Sequence, residues 1–124
     1  MTKNVPFEAK IIDGDILAIV LSGDLDSVSA PEFDRQIQEH LAAGHSKVII
    51  DCRKLGYISS LGIASLVSLQ TKLRRRGGEV KLAAIFGRAM EIMRLVRLDK
   101  MFDIYGDLEF ARKSFYPNDQ APQP

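Results

Sequence analysis

The sequence predicts a single α/β domain: a mixed, mainly parallel sheet of four to five strands with an initial hairpin and about four helices. After two β-prone runs, strand-like and amphipathic segments alternate along the chain, which is typical of parallel strands joined by helices. The length of 124 residues leaves room for one hydrophobic core. We expect the domain at residues 7–113, between a flexible N-terminal segment (1–6) and a disordered, Pro- and Gln-rich tail (114–124).

The composition argues against several classes of function. Lys and Arg (17) nearly balance Asp and Glu (16), whereas a dedicated nucleic-acid-binding domain is markedly basic, so we expect no direct contact with nucleic acid. No apolar run approaches the ~20 residues of a membrane span, and the N-terminus has no export signal. We therefore expect a cytoplasmic protein without membrane insertion. The lone Cys52 has no Cys or His neighbours at metal-ligand spacing, so we expect no metal and no cofactor.

The first part of the chain predicts a hairpin followed by a helix. Phe7–Ile12 and Ile16–Leu21 are β-prone runs, and the Asp13-Gly14-Asp15 sequence between them is a hairpin signal. Ser29 is the predicted N-cap of the helix, because a proline and an acidic residue follow it in the first turn. The apolar residues of this helix recur every four positions, at Phe33, Ile37 and Leu41, and the helix ends at Gly44.

The chain is organised around Asp51–Arg76, where the end of a strand, a polar turn and a long helix follow one another. The apolar run in Lys47–Cys52 predicts a central strand with both faces buried. At about 100° per residue, one face of the helix carries Gly62, Leu66, Leu69 and Leu73, flanked by Ile63 and Val67. That face should be buried and the opposite one exposed to solvent. The predicted exposed residues are Ala64, Ser68, Thr71, Lys72 and Arg75.

The remainder predicts two further strands and two further helices. Basic residues and two glycines in Arg74–Gly78 should end the central helix. Strands are predicted at Val80–Ile85 and Met101–Tyr105, and helices at Gly87–Leu98 and Asp107–Lys113. The inner side of the first of these helices should carry Ala89, Ile92, Met93 and Val96.

The sequence predicts different roles for the two serines at the start of the central helix. A serine that precedes a helix commonly accepts a hydrogen bond from an amide of the first turn, and this structural role suits Ser59. A phosphate on Ser60 would lie at the positive end of the helix dipole, where free amides stabilise it. It would add roughly −1.5 to −2 charges to the surface. A partner that docks there would then be released while the fold persists.

Three aspartates admit both a chemical and a structural interpretation. Asp24 and Asp26 have no His or third carboxylate nearby in sequence, which disfavours a metal or acid/base site. We expect them to accept backbone hydrogen bonds in a tight turn. Asp51 stands where a response-regulator receiver domain has its phospho-accepting aspartate, but the acidic pair after the first strand and the lysine after the fifth are missing. We expect Asp51 to hold the turn instead.

Three segments in order resemble the STAS domains of bacterial anti-anti-sigma factors, also called anti-sigma factor antagonists. Ser59-Ser60-Leu61-Gly62-Ile63 is similar to the family's Asp-Ser-Ser/Thr-Gly junction before a helix. Gly23-Asp24-Leu25-Asp26 resembles its Gly-Glu/Asp-Leu-Asp turn, and the segment from Leu98 to Tyr105 resembles its Leu-Asp-x-x-Phe-x-Ile-Tyr motif. The resemblance covers about Phe7 to Arg112 and implies the STAS fold, in agreement with the predicted order of elements.

Two positions depart from the family's pattern. Aligned on Gly62, Ser59 replaces the family's aspartate, Ser60 corresponds to its phosphorylated serine, and Leu61 replaces its second hydroxyl residue. The phosphate acceptor is kept and its acidic neighbour is lost. If a kinase uses that carboxylate to position the hydroxyl, this chain is a poor substrate or answers to a different kinase.

The resemblance implies a regulatory binding protein and not an enzyme. Its unphosphorylated form would bind an anti-sigma factor/serine kinase of the histidine-kinase-like ATPase family and so permit sigma-factor-dependent transcription. Phosphorylation of Ser60 would oppose this binding, and a serine phosphatase would restore it. The partner-binding residues that we expect are Asp24, Asp26, Ser59, Ser60, Leu61, Gly62, Met90 and Arg94.

Two alternatives remain open at this point. The loss of the aspartate before Ser60 also suits a nonphosphorylated STAS scaffold or ligand-sensing module in a multiprotein or lipid-transport complex. A small enzyme is least favoured, because the sequence offers no nucleophile with its base, no metal cluster and no phosphate-binding loop.

Overall fold

A computed structural model describes residues 7–116 and shows five strands and four helices in an α/β arrangement, as predicted. The strands are β1 (Phe7–Ile12), β2 (Ile16–Leu25), β3 (Lys47–Ile58), β4 (Glu79–Ala83) and β5 (Asp103–Tyr105). The helices are α1 (Ala30–Ala42), α2 (Ser60–Arg75), α3 (Gly87–Leu95) and α4 (Leu108–Phe115), with a 3-10 turn at Leu98–Lys100. No helix in this part of the chain is long and apolar enough to cross a membrane. Our expectations for residues 1–6 and 117–124 lie outside the described residues.

The strands form one mixed sheet in the order β1-β2-β3-β4-β5. β1 and β2 are antiparallel, and the other neighbours are parallel. The predicted hairpin turns at Asp13 and Gly14, whose φ angles are 52° and 82°. Tight hairpin turns favour residues with positive φ, because the backbone twist of such turns matches the twist of the strands. Since β2, β3 and β4 are parallel, the connections that follow them emerge at the same end of the sheet.

Helices cover the two faces of the sheet unequally. α1, α2 and α3 pack on one face and bury the main core, which includes Leu17, Ile19, Phe33, Ile50, Leu66, Leu73 and Leu82. α4 packs on the other face over a small cluster of Ile16, Ile49, Ala83 and Ala111. The predicted buried face of α2 is confirmed, and Gln70 is buried as well. The side chain of Gln70 is satisfied there because it hydrogen-bonds both the amide and the carbonyl of Val80.

β2 and β3 extend beyond their neighbours. β1 begins opposite Leu21, and β4 ends opposite Asp51, but β2 and β3 stay paired as far as Leu25 and Ile58. We call this part, residues 22–25 and 54–58, the β2-β3 extension. The predicted strand ends at Leu21 and Cys52 were therefore wrong. Register shifts between Val20 and Asp24 break the alternation of apolar and polar residues, so this stretch resembles a turn in sequence.

Several other predicted boundaries also shift. α3 ends at Leu95 and not at Leu98, because Arg97 adopts the left-handed conformation (φ 63°), and Val96, predicted to be inside, is 49% exposed. β4 begins one residue earlier and ends two residues earlier than predicted, and β5 begins two residues later. α4 continues to Phe115 instead of stopping at Lys113, because Phe115 packs against the small core beneath that helix.

Polar contacts hold α4 and the residue after it to the sheet. The Arg112 guanidinium donates to the carboxylate of Asp13 at 2.8 Å, and the Tyr116 hydroxyl donates to that of Asp15. Lys47 approaches the same Asp15 oxygen at 3.0 Å. Burial alone would raise the pKa of Asp15, but the hydrogen bonds from Tyr116 and Lys47 outweigh it and leave that pKa below its ordinary value.

Replacing Asp15 by asparagine should lower the free energy of unfolding by about 0.5 to 1 kcal/mol near neutral pH, the range of partly exposed ion pairs. The folded-state pKa of Asp15 lies below the ordinary 3.8, so the carboxylate's contribution is complete above 3.8 and is lost as the pH falls through the lower folded-state value. Urea unfolding of both proteins across this range measures the difference. Asp34→Asn, on the exposed side of α1, is the control. A difference that persists in acid would contradict this account.

Candidate functional site

The two serines at the start of α2 have different roles, as the sequence predicts. Ser59 caps the helix, and Ser60 exposes its hydroxyl. Ser59 is the N-cap of α2: its backbone is extended (φ −89°, ψ 173°), and its hydroxyl oxygen accepts from the Gly62 amide at 3.2 Å. Its carbonyl accepts from Ile63. Ser60 is the first residue of the helix, and its side chain is exposed. Reagents in solution can therefore reach the Ser60 hydroxyl without disturbing the cap.

The start of α2 is fixed directly to the end of β2. The Ser59 amide donates to the Leu25 carbonyl at 2.9 Å. A Cβ atom added to Gly62 would lie only 2.4 Å from that same carbonyl oxygen, so the backbones of the helix and the strand approach at a distance that only glycine permits. The junction and the segment after Gly23 are thus adjacent.

Ser29 is the N-cap residue of α1, as predicted, but its side chain makes no cap bond to the helix. Its hydroxyl instead donates to the Asp24 carbonyl at 2.7 Å and accepts from the Asp26 amide, so the side chain folds back onto the preceding turn. The Asp26 carboxylate holds the turn before α1, because it accepts from the amides of Val28 (3.0 Å) and Ser29 (3.1 Å). The Asp26 carbonyl accepts from Ala30.

The amides around Asp26 also set its charge state. The hydrogen bonds that it accepts from Ser29 and Val28 hold the pKa of the Asp26 carboxyl below its ordinary value. The prediction that Asp26 accepts backbone hydrogen bonds in a tight turn is confirmed. The carboxylate is half-buried and occupied by these bonds, so its main role is structural.

Asp24 has a different environment. It lies in the β2-β3 extension opposite Tyr57, and its side chain is exposed. One of its carboxylate oxygens would be 3.2 Å from a Cβ atom at Gly56, so the absence of a side chain there leaves room for the carboxylate. Asp24 therefore presents its charge on the surface close to the junction.

Exposed apolar side chains lie at the same end of the sheet. Leu61, in the first turn of α2, is 45% exposed, and Tyr57, at the end of β3, is 39% exposed. Phe86, which precedes α3, is 61% exposed. The Arg88 guanidinium lies 6.0 Å from the centre of the Tyr57 ring. Sequence analysis missed Tyr57 and Phe86, although an aromatic residue directly before a predicted helix and outside its apolar pattern was an available signal.

Met90 and Arg94 line a cavity of about 440 Å³ between α3 and β5. The other lining residues are Asp99, Phe102, Asp103, Ile104 and Tyr105. The junction residues Ser59, Ser60, Leu61 and Gly62 are not part of this lining. The expected contact of Met90 and Arg94 with a partner stays a prediction.

Buried polar groups near the junction are structural. Asp51 does not hold a turn, because β3 continues past it. Its carboxylate accepts from the Arg53 amide at 3.0 Å and lies 3.6 Å from the Arg53 guanidinium. Burial raises the pKa of the Cys52 thiol to about 12, so this thiol stays protonated and unreactive. Within residues 7–116, no group of three His, Cys, Asp or Glu side chains is placed to hold a metal ion.

Comparison with known families agrees with this architecture. Residues 7–111 match the family model of the STAS domain. The chain belongs to the STAS-domain family. The match covers all five strands and begins at the first residue of β1.

Relatives of this STAS domain include proteins of bacterial sigma-factor regulation. The chain is 26% identical to BtrV of Bordetella bronchiseptica over 84% of its own length and 89% of BtrV. It is 27% identical to the anti-sigma-B factor antagonist of Listeria monocytogenes over 82% of its length and 86% of that protein.

A solved structure shares the fold. Unphosphorylated SpoIIAA, an anti-sigma factor antagonist, superposes with a TM-score of 0.80 at 16% identity over 90% of this chain and 96% of SpoIIAA. The phosphorylated form of SpoIIAA, from Bacillus, superposes with a TM-score of 0.72 at 16% identity over 88% and 98%.

Replacing Gly62 by alanine should destabilise the STAS domain by about 1 to 3 kcal/mol, because the added methyl group forces α2 away from the Leu25 carbonyl. Chemical denaturation provides the measurement. Gly106→Ala is the matched control, since a Cβ atom at Gly106 meets nothing within 4 Å. Equal stability of Gly62→Ala and the wild type would show that the close approach is not a constraint.

Asp26→Ala should cost about 1 kcal/mol of stability, because the amides of Val28 and Ser29 in the turn before α1 lose their acceptor. Asp24→Ala is the paired variant, and as a change to an exposed side chain it should alter stability by less than about 0.5 kcal/mol. Thermal and urea unfolding of both variants measure the contrast. A larger loss in Asp24→Ala would contradict the structural role assigned to Asp26.

Proposed function

We propose that this STAS domain is an anti-sigma factor antagonist whose binding is switched by phosphorylation of Ser60. In its unphosphorylated form it binds an anti-sigma factor/serine kinase of the histidine-kinase-like ATPase family in the cytoplasm. The bound anti-sigma factor releases its sigma factor, and transcription proceeds. Phosphorylation of Ser60 by that kinase ends the interaction, and a serine phosphatase restores it.

The exposure of Ser60 on the first turn of α2 is the observation that carries this proposal. A phosphate at this position meets amides that have no acceptor within the helix, and the helix dipole favours its negative charge. The neighbouring Ser59 keeps the cap bond to Gly62 throughout. The domain can therefore accept the phosphate without unfolding, as a reversible switch requires.

The docking surface that we propose centres on Ser60 and includes Leu61 and Asp24. Leu61 offers an apolar contact beside the hydroxyl, since its side chain is 45% exposed. Asp24 offers an exposed carboxylate on the adjacent extension. Asp26, Ser59 and Gly62 support this surface through the backbone contacts described above. Met90 and Arg94, which line the cavity between α3 and β5, remain proposed partner contacts on α3.

Added charge provides the physical basis of release. A phosphate contributes roughly −1.5 to −2 charges, and a partner surface that covers Ser60 must desolvate them. Each 1.4 kcal/mol corresponds to about a tenfold change in affinity, so a penalty of a few kcal/mol is enough to release the partner.

The replacement of the family's aspartate by Ser59 favours a second candidate function. Ser59 supplies the cap but not the negative charge of the aspartate that the family's pattern has at this position. A kinase that requires this carboxylate would leave Ser60 unmodified. The domain would then be a nonphosphorylated scaffold or ligand-sensing module.

Ser60 variants test the switch. The purified histidine-kinase-like anti-sigma factors of the source genome serve as partners in calorimetric titrations and in phosphate-transfer assays with ATP. Ser60→Asp should weaken binding by about tenfold or more, because it places a permanent charge beneath the partner. Ser60→Ala should bind like the wild type and accept no phosphate. Ser68→Asp, an exposed position farther along α2, controls for added charge, and equal affinity of Ser60→Asp and the wild type would refute the switch.

The intact mass of protein purified from its native cells separates the two candidate functions. The switch predicts a species heavier by one phosphate, about 80 Da, that is absent from Ser60→Ala. Only the unmodified mass, under conditions in which the sigma factor is both active and inactive, would favour the scaffold.

A further inference from the structure

One cation lies beside the junction without a carboxylate partner. The Arg88 guanidinium lies 6.0 Å from the centre of the Tyr57 ring, and the Arg88 side chain is exposed. Within the described residues, this guanidinium forms no ion pair and donates no hydrogen bond. Its N–H groups are therefore available to an anion.

The acidic residues closest to Arg88 in the fold leave its charge unpaired. Asp24 pairs in register with Tyr57, and Glu91 follows Arg88 by three positions on α3. Neither carboxylate comes within ion-pair distance of the guanidinium. The first turn of α3 contains no acidic residue, and the helix dipole opposes a cation at this position. The face of the Tyr57 ring thus provides the contact that holds the cation, and at an exposed site this attraction is weak.

The position of Tyr57 brings this cation close to Ser60. Tyr57 is the second-last residue of β3 and precedes Ser60 by three positions. Three residues of extended chain span at most about 11 Å. α3 packs against β3, and the hydrogen bond from the Ser59 amide to the Leu25 carbonyl fixes the turn after that strand. The long Arg88 side chain can therefore turn from the Tyr57 ring toward a group on Ser60.

A phosphate is the group on Ser60 to which Arg88 would respond. The unmodified hydroxyl is neutral and has no charge that competes with the Tyr57 ring. A phosphate carries roughly −1.5 to −2 charges, and its oxygens accept two parallel hydrogen bonds from the planar fork of a guanidinium. Charge-assisted bonds of this kind are much stronger than the contact of an exposed cation with a ring.

We propose that Arg88 is the internal counter-ion of phosphorylated Ser60. This inference rests on the phosphorylation proposed above and adds the residue that receives the phosphate. In the unphosphorylated domain, the guanidinium stays over the Tyr57 ring. After phosphorylation it leaves the ring and binds the phosphate, which is then held against the domain beside Leu61. A partner that covers Ser60 must break this ion pair before it can dock, so the pair contributes to release.

Phosphorus magnetic resonance of the full chain, with phosphoserine incorporated at position 60 during expression, tests the pair without a kinase. A neighbouring cation favours the doubly charged phosphate, so Arg88→Gln should raise the second pKa of the phosphate by about 0.5. Arg88→Lys keeps the charge but loses the planar fork, and its phosphate pKa should fall between the two. Lys54→Gln is the matched control. It removes an exposed cation from the same β2-β3 extension, three residues farther from Ser60, and should change the pKa by less than about 0.2.

Proton resonances of the two side chains report the movement of the guanidinium. Phosphorylation should shift the signals of the Arg88 Nε–H group and of the Tyr57 ring, and the shift of the ring signals should be lost in phosphorylated Arg88→Gln. Equal phosphate pKa values in the wild type and Arg88→Gln would overturn the pair. An equal rise in Lys54→Gln and Arg88→Gln would also overturn it, because the effect would then be that of net charge.

The outcome for the ion pair can be distinguished from the outcome for the proposed function. If no kinase phosphorylates Ser60 but Arg88→Gln raises the phosphate pKa, the switch fails and the ion pair stands. If Arg88→Gln weakens the binding of the unphosphorylated domain to an anti-sigma factor and leaves the phosphate pKa unchanged, Arg88 is a partner contact. That result would support the docking surface and overturn the ion pair.

Discussion

The contact between the start of α2 and the Leu25 carbonyl is the constraint on which the site depends. That oxygen accepts from the Ser59 amide and lies where a Cβ atom of residue 62 would be. One carbonyl therefore joins the end of β2 to the first turn of α2. Ser59 then closes the turn through its bond to Gly62. The backbone on either side of the exposed Ser60 is therefore fixed, by Ser59 before it and Gly62 after it. The position of Ser60 is set by this backbone packing more than by its own contacts.

Much of the fold follows from the sequence because its signals are local and periodic. The hairpin at Asp13 and Gly14, the buried strand around Ile49 and the inner face of α2 each result from a pattern within a short window. The end of β3 does not. Its residues after Cys52 pair with β2 through register shifts, and the buried residues there, Leu55 and Ile58, are three positions apart, so the two-residue period of a strand is lost.

The site was predictable to the extent that it depends on local hydrogen bonding. The cap at Ser59 is a local feature, and the sequence was enough to assign it. The position of Ser29 as N-cap and the turn at Asp26 were also predicted, but only the path of the turn shows that the Ser29 hydroxyl points back to Asp24 and Asp26. The cavity that Met90 and Arg94 line required tertiary information, since a helical pattern cannot say that α3 and β5 will enclose it together.

The attachment of α4 has a consequence for the order in which this protein assembles. Arg112 and Asp13 are 99 positions apart, and Tyr116 and Asp15 are 101 apart. Contacts of such separation form late, because the intervening chain must first be ordered. During synthesis, the first hairpin leaves the ribosome long before its partners, and Ile16 and Ile49 stay uncovered until α4 has emerged. The apolar residues on one face of the sheet are thus exposed to solvent for a time in the nascent chain, until α4 packs over them.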